Sequence, residues 1–76
     1  MNFNYNLDNG VLTVSLDGRM DTEAAVKFEA ELAEICKNNP HESMVFDAEK
    51  LLYVASSGLR TILKMAKTEK NFSVEN

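Results

Sequence analysis

The spacing of apolar residues changes period along this chain, and the order of those changes limits the fold more than any other feature. Phe3, Tyr5 and Leu7 alternate with Asn4, Asn6 and Asp8, the period-two pattern of a half-buried strand. Asn9-Gly10 then supplies the φ > 0 residues of a tight hairpin. Leu12, Val14 and Leu16 interleave with Val11, Thr13 and Ser15, so a second strand turns its leucine and valine face inward. Asp17-Gly18 reads as the break that ends it.

The period then lengthens. Asp21 and Thr22 offer N-cap oxygens before a run free of Gly and Pro, in which Ala25, Phe28, Leu32, Ile35 and Cys36 recur at steps of three and four. This predicts an amphipathic helix over residues 22–37, stopped near Asn38-Asn39-Pro40. Residues 43–47 form a short apolar run suited to a buried strand, closed by Asp47, and residues 48–55 are too apolar for a solvated loop and are expected to fold back over the core. A second helix is predicted over residues 57–67, with Leu59, Ile62, Leu63 and Ala66 inward and Arg60, Thr61, Lys64 and Lys67 outward. Phe72, Ser73 and Val74 open a further strand. Two hairpin strands followed by helix, strand, helix and strand imply an α/β fold, a small mixed sheet in which the N-terminal hairpin joins the strands at residues 43–47 and 72–74.

The turn into the second helix, residues 55–60, reads Ala-Ser-Ser-Gly-Leu-Arg. Two hydroxyls and a glycine fall where backbone N–H groups are left without intrahelical partners. On residue preference alone Ser56 and Ser57 are caps, and Gly58 serves close packing or turn geometry.

Composition narrows the function. With 76 residues the chain holds a single domain, residues 1–76. A formal net charge of −4 opposes direct nucleic-acid binding, which needs a basic face. No apolar run reaches bilayer length, so membrane insertion is not expected, and the first residues do not resemble a secretory signal; the expected location is cytoplasmic. A single cysteine, Cys36, cannot form an internal disulfide, and no second cysteine or pair of histidines stands near it at metal-ligand spacing, so a disulfide and a structural zinc site are both excluded. Cys36 is expected in the core and His41, after Pro40, in an exposed loop. Asp21 reads as a helix cap and Asp47 as a strand-end residue ordering the chain toward Ser56. Arg60, Lys64, Lys67 and Lys70 read as a solvated helix face. The one histidine and the lack of a G-x-S-x-G elbow oppose a serine hydrolase, and no P-loop is present. No cofactor or metal is implied, and the chain is not expected to be an enzyme.

Three stretches together are similar to the STAS domain of bacterial anti-sigma factor antagonists. They are G-R-M-D from Gly18 to Asp21, the apolar strand ending in Asp47, and L-L-Y-V-A-S-S-G-L-R from Leu51 to Arg60. The resemblance covers essentially the whole chain and implies a STAS-like small mixed β-sheet with amphipathic helices packed on it. It implies a protein that binds an anti-sigma factor, a serine kinase, and frees a sigma factor until Ser56 is phosphorylated. Partner contacts would fall on Gly18, Asp21, Thr22, Ser56, Ser57, Gly58 and Arg60. Ala55 stands where many phosphorylated members carry aspartate. The family continues through a further C-terminal strand and helix that this sequence lacks, which implies a fragment, a homodimer covering the open edge, or surface left mobile. Other readings are a STAS scaffold or accessory subunit of a stress-signalling or membrane-transport assembly, and a small-ligand or nucleotide sensor.

Overall fold

Two parallel strand pairs cannot be joined by tight turns, so each helix here serves as a crossover. In the computed structural model, which describes residues 1–75, the elements are β1 (Asn2–Asp8), β2 (Val11–Met20), α1 (Thr22–Asn38), β3 (Ser43–Val54), α2 (Ser56–Thr68) and β4 (Phe72–Glu75). The sheet order is β1-β2-β3-β4. β1 and β2 are antiparallel, and β3 pairs in parallel with β2 on one side and β4 on the other. The mixed α/β fold matches the expectation. Asn9 and Gly10 both have positive φ, 51° and 79°, as a two-residue hairpin turn of this hand requires.

Both helices cover one face of the sheet. Leu12, Val14, Leu16 and Met20 of β2 and Met44 and Phe46 of β3 are buried there with Ala25, Phe28 and Leu32 of α1. Four phenylalanines cross this layer in edge-to-face contact. Phe3 meets Phe28 at 4.9 Å between ring centroids, Phe28 meets Phe46 at 5.8 Å, and Phe46 meets Phe72 at 5.0 Å. The chain of rings links β1, α1, β3 and β4, each pair adding about 0.5–1.5 kcal/mol beyond area burial.

Two strand boundaries depart from expectation. β2 does not break at Asp17-Gly18 but runs on to Met20, and residues 48–54 do not fold back but extend β3 alongside it. The reason is a pair of bulges in β3. Between the pairs Ser15–Asp47 and Asp17–Lys50 β3 advances one residue more than β2, and it does so again between Gly18–Leu51 and Arg19–Tyr53. Leu52, the extra residue at the second, is 79% exposed. The inward positions of β3 are therefore Met44, Phe46, Leu51 and Val54, which follow no simple period. Gly18, at φ 99°, takes up the left-handed conformation that lets β2 continue. Asp47 is thus not a strand end; its carboxylate accepts the Glu49 N–H at 3.0 Å across the first bulge.

α2 is also turned relative to the expected stripe. Gly58, Thr61, Ile62 and Met65 face the core, while Leu59 and Leu63 are exposed. That is a displacement of one residue, about 100° of helix rotation. Gly58 sets it: a Cβ there would lie 2.6 Å from Val54 Cγ2 and 2.7 Å from Met20 Sδ. A pattern built from apolar side chains gives no weight to a residue whose contribution is having none.

His41 is not exposed. Its side chain keeps 7% of its accessible surface, with Nδ1 2.8 Å from the Asn39 carbonyl and Nε2 2.6 Å from Glu69 Oε1. Burial lowers the imidazole pKa, but the Asn39 hydrogen bond and the hydrogen bond and charge of Glu69 outweigh it, and the net shift is upward. Cys36 is half-buried against the core; burial, then the charge of Glu69, pushes its thiol up.

Removing the central ring tests the aromatic chain. Phe28→Ala should cost about 3–5 kcal/mol, a large part of the roughly 4–11 kcal/mol expected of a domain this size. Urea denaturation followed by circular dichroism should show the variant substantially unfolded in mild denaturant.

Candidate functional site

The extended ladder of β2 and β3 ends with Met20 opposite Val54, and a helix begins directly after each. The Ala55 N–H donates to the Met20 carbonyl at 2.8 Å, so the starts of α1 and α2 are tied together at one end of the sheet. On the way there the Arg19 guanidinium lies 4.5 Å from the centre of the Tyr53 ring, a cation–π contact that clips the two strand extensions on their outer side.

The two helix starts differ. Asp21 is the N-cap of α1, its Oδ1 accepting from the Ala24 N–H at 2.8 Å, as expected. The N-cap of α2 is Ala55, and no side chain caps this helix; its first turn also holds no acidic residue. The expectation that Ser56 and Ser57 act as caps is corrected. Both lie inside the helix, at its first and second positions, because Ala55 already has the extended conformation, φ −76° and ψ 167°, that precedes a helix. Neither a side-chain cap nor a first-turn acid offsets the positive end of the α2 dipole.

Ser56 is exposed, as are Asp21, Thr22 and Arg60. Ser57 is turned inward, its Oγ buried with no hydrogen-bond partner among the described residues. Gly58 is buried beneath the turn, and Gly18 shapes the ladder behind it. Of the seven residues singled out from the sequence, Asp21, Thr22, Ser56 and Arg60 present side chains at this end, Gly18 and Gly58 lie in the backbone behind it, and Ser57 is turned inward. Val26, exposed on α1, joins the surface beside Asp21 and Thr22 to a shallow groove between the helices, lined further by Glu29, Ser57, Arg60 and Lys64. Sequence periodicity did not single out Val26, because it falls outside the helix's buried stripe. Asp47 is placed elsewhere, in a depression with Asn4, Ser15 and Lys50.

Chemically this end offers the exposed hydroxyls of Ser56 and Thr22, an anion-seeking helix start and an exposed guanidinium, with no histidine or cysteine among the residues that compose it. Such a surface can dock a partner and receive an anionic group. No helix of the described residues is long and apolar enough to cross a membrane.

A sequence profile of the STAS domain matches residues 2–75, and the chain belongs to that family. No curated protein matches its sequence. Among solved structures the fold is similar to that of an anti-sigma factor antagonist from Mycobacterium paratuberculosis, with a TM-score of 0.81 and 22% identity over 96% of this chain and 64% of that one. It is similar also to the anti-sigma factor antagonist SpoIIAA in its unphosphorylated form, with a TM-score of 0.70 and 18% identity over 87% of this chain and 61% of that one. The Bacillus cell fate determinant SpoIIAA in the phosphorylated form gives a TM-score of 0.74 and 16% identity over 95% of this chain and 68% of that one. The chain thus spans a little under two thirds of the first two structures, and at these identities the likeness is one of fold.

The close approach at Gly58 makes a direct test. Gly58→Ala places a methyl group against Val54, whose branched side chain has little freedom, and should cost about 1–3 kcal/mol despite the better helix propensity of alanine. Ser57→Ala removes a buried hydroxyl that has no partner among the described residues and should leave stability unchanged or raise it. The two urea midpoints should move apart, the first downward; a stabilised Gly58→Ala protein would contradict the packing described.

Proposed function

We propose that this domain is a non-enzymatic antagonist that captures an anti-sigma factor through the face carrying Asp21, Thr22, Ser56 and Arg60. Phosphorylation of Ser56 by a serine kinase ends the capture. Gly18, Ser57 and Gly58 act in this scheme by positioning the contact residues, and the setting is cytoplasmic. One observation carries the reading: the Ser56 hydroxyl is exposed in the first turn of a helix that has neither a side-chain cap nor an acidic residue there.

The physical consequence of modification follows from that placement. A phosphate brings about −1.5 to −2 charges at pH 7. At the start of α2 this charge meets the positive end of the dipole and unpaired N–H groups, which favours the folded domain. A partner that had covered the same hydroxyl must instead accommodate a bulky dianion. Modification therefore acts on association and spares the fold.

The test is phosphate transfer from ATP in the presence of a cognate anti-sigma kinase, followed by intact mass. One phosphate should be added, and none in Ser56→Ala. Ser56→Glu should bind the partner at least about tenfold more weakly while the melting temperature holds or rises, since an acid in the first turn contributes about 0.3–1 kcal/mol. Tight binding without any transfer would assign a scaffold role instead, and unfolding of Ser56→Glu would contradict the dipole argument.

A further inference from the structure

At the opposite ends of the two helices the fold brings a side chain from position 69 to two from positions 36 and 41. Cys36 lies in the last turns of α1, His41 follows its C-terminus after Pro40, and Glu69 is the residue at which α2 stops. Their sulfur, imidazole nitrogen and carboxylate oxygen all lie within 4.8 Å of one another. We propose that Cys36, His41 and Glu69 form a binding site for a divalent transition-metal ion of the zinc class, with solvent in the fourth position.

The imidazole supplies the first argument. A carbonyl oxygen only accepts, so at 2.8 Å from the Asn39 carbonyl Nδ1 carries the hydrogen. Nε2 then faces the Glu69 carboxylate at 2.6 Å, and a carboxylate also accepts. A lone pair and an anion in contact need a cation between them, either a proton or a metal ion. A backbone carbonyl holding the far nitrogen is also the arrangement that fixes the tautomer and orientation of a metal-binding histidine.

Support for the imidazole is firm. Asn39 caps α1 through its Nδ2, which donates to the Ile35 carbonyl at 2.8 Å, and the Glu69 N–H donates to the Met65 carbonyl at 2.8 Å. Two helix C-termini converge on the site, and their carbonyl ends favour positive charge. The donor set is thiolate, imidazole and carboxylate, which suits zinc and its neighbours and not calcium or magnesium.

The distances fit with small movements. Ligand bonds of about 2.0–2.3 Å in a tetrahedral site put ligand atoms roughly 3.3–3.6 Å apart. His41 and Glu69 would separate by under about 1 Å, and Cys36 would close in by up to about 1.5 Å, within the reach of side-chain rotation. The cluster opens onto a depression of about 560 Å³ bordered also by Glu42, Thr68 and Lys70, which leaves the fourth position to water. Binding is a ligand exchange: the ion takes the places of the protons on Cys36 Sγ and His41 Nε2, these leave to solvent, and no electron is transferred. The argument against zinc drawn from the sequence counted neighbours along the chain, and it is reversed by a fold that brings position 69 to positions 36 and 41.

Tag-free protein of the full chain, stripped with a chelator, should be titrated with Co²⁺ and observed by absorption. A near-ultraviolet thiolate-to-cobalt charge-transfer band saturating at one equivalent, displaced by Zn²⁺, is expected, together with a rise in melting temperature with Zn²⁺. Cys36→Ser should remove the charge-transfer band, and Glu69→Gln, which keeps a hydrogen-bond partner for His41, should weaken binding by at least about tenfold. Absence of the band in folded wild-type protein at saturating Co²⁺ would overturn the proposal. So would a band that persists in Cys36→Ser, or Zn²⁺ affinity unchanged in Glu69→Gln.

Discussion

The parallel pairing of β2 with β3 is the constraint on which the other parts depend. It requires a crossover, which makes α1 a packed element instead of an appendage, and it carries the sheet past the core to the point where both helices begin. The single bond from the Ala55 N–H to the Met20 carbonyl is the last rung of that ladder. Together with the packing of Gly58 on Met20 and Val54, it fixes the start of α2 next to the strand end from which α1 begins. With it, a capped helix start and an uncapped one stand together at one end of the sheet.

Much of this was legible in the residues. The hairpin at Asn9-Gly10, the inward face of β2 and the cap at Asp21 all follow local rules, period-two alternation and N-cap chemistry, and local rules are what a sequence displays. The stretches that misled are those where tertiary contacts decide. In β3 the two bulges scatter the inward residues to Met44, Phe46, Leu51 and Val54, so a real strand carries no strand period. In α2 the close contact under Gly58 decides the rotation of the helix against the pull of Leu59 and Leu63.

The site was legible in position and less so in role. The stretch from Ala55 to Arg60 marks a helix start in any reading, but which residue is the cap depends on where the backbone turns, and that is set by the Met20 contact, 35 positions away in sequence. The cluster of Cys36, His41 and Glu69 left no signal of spacing at all, because its third member arrives with the far end of another helix. A lone cysteine and a lone histidine look inert until the crossover geometry is known.

The two bulges in β3 have a consequence for how the chain tolerates changes in length. Each adds one residue, so together they leave Val54 on the same side of the sheet that an unbulged strand would have presented at position 52, opposite Met20. A bulge takes up one residue without moving the pairs on either side of it, so Leu51 and Val54 both pack on the core although they lie three positions apart. The span is therefore a place where length can change one residue at a time: a residue gained or lost at a bulge alters the outward bend of the strand and leaves the pair from which α2 starts in register.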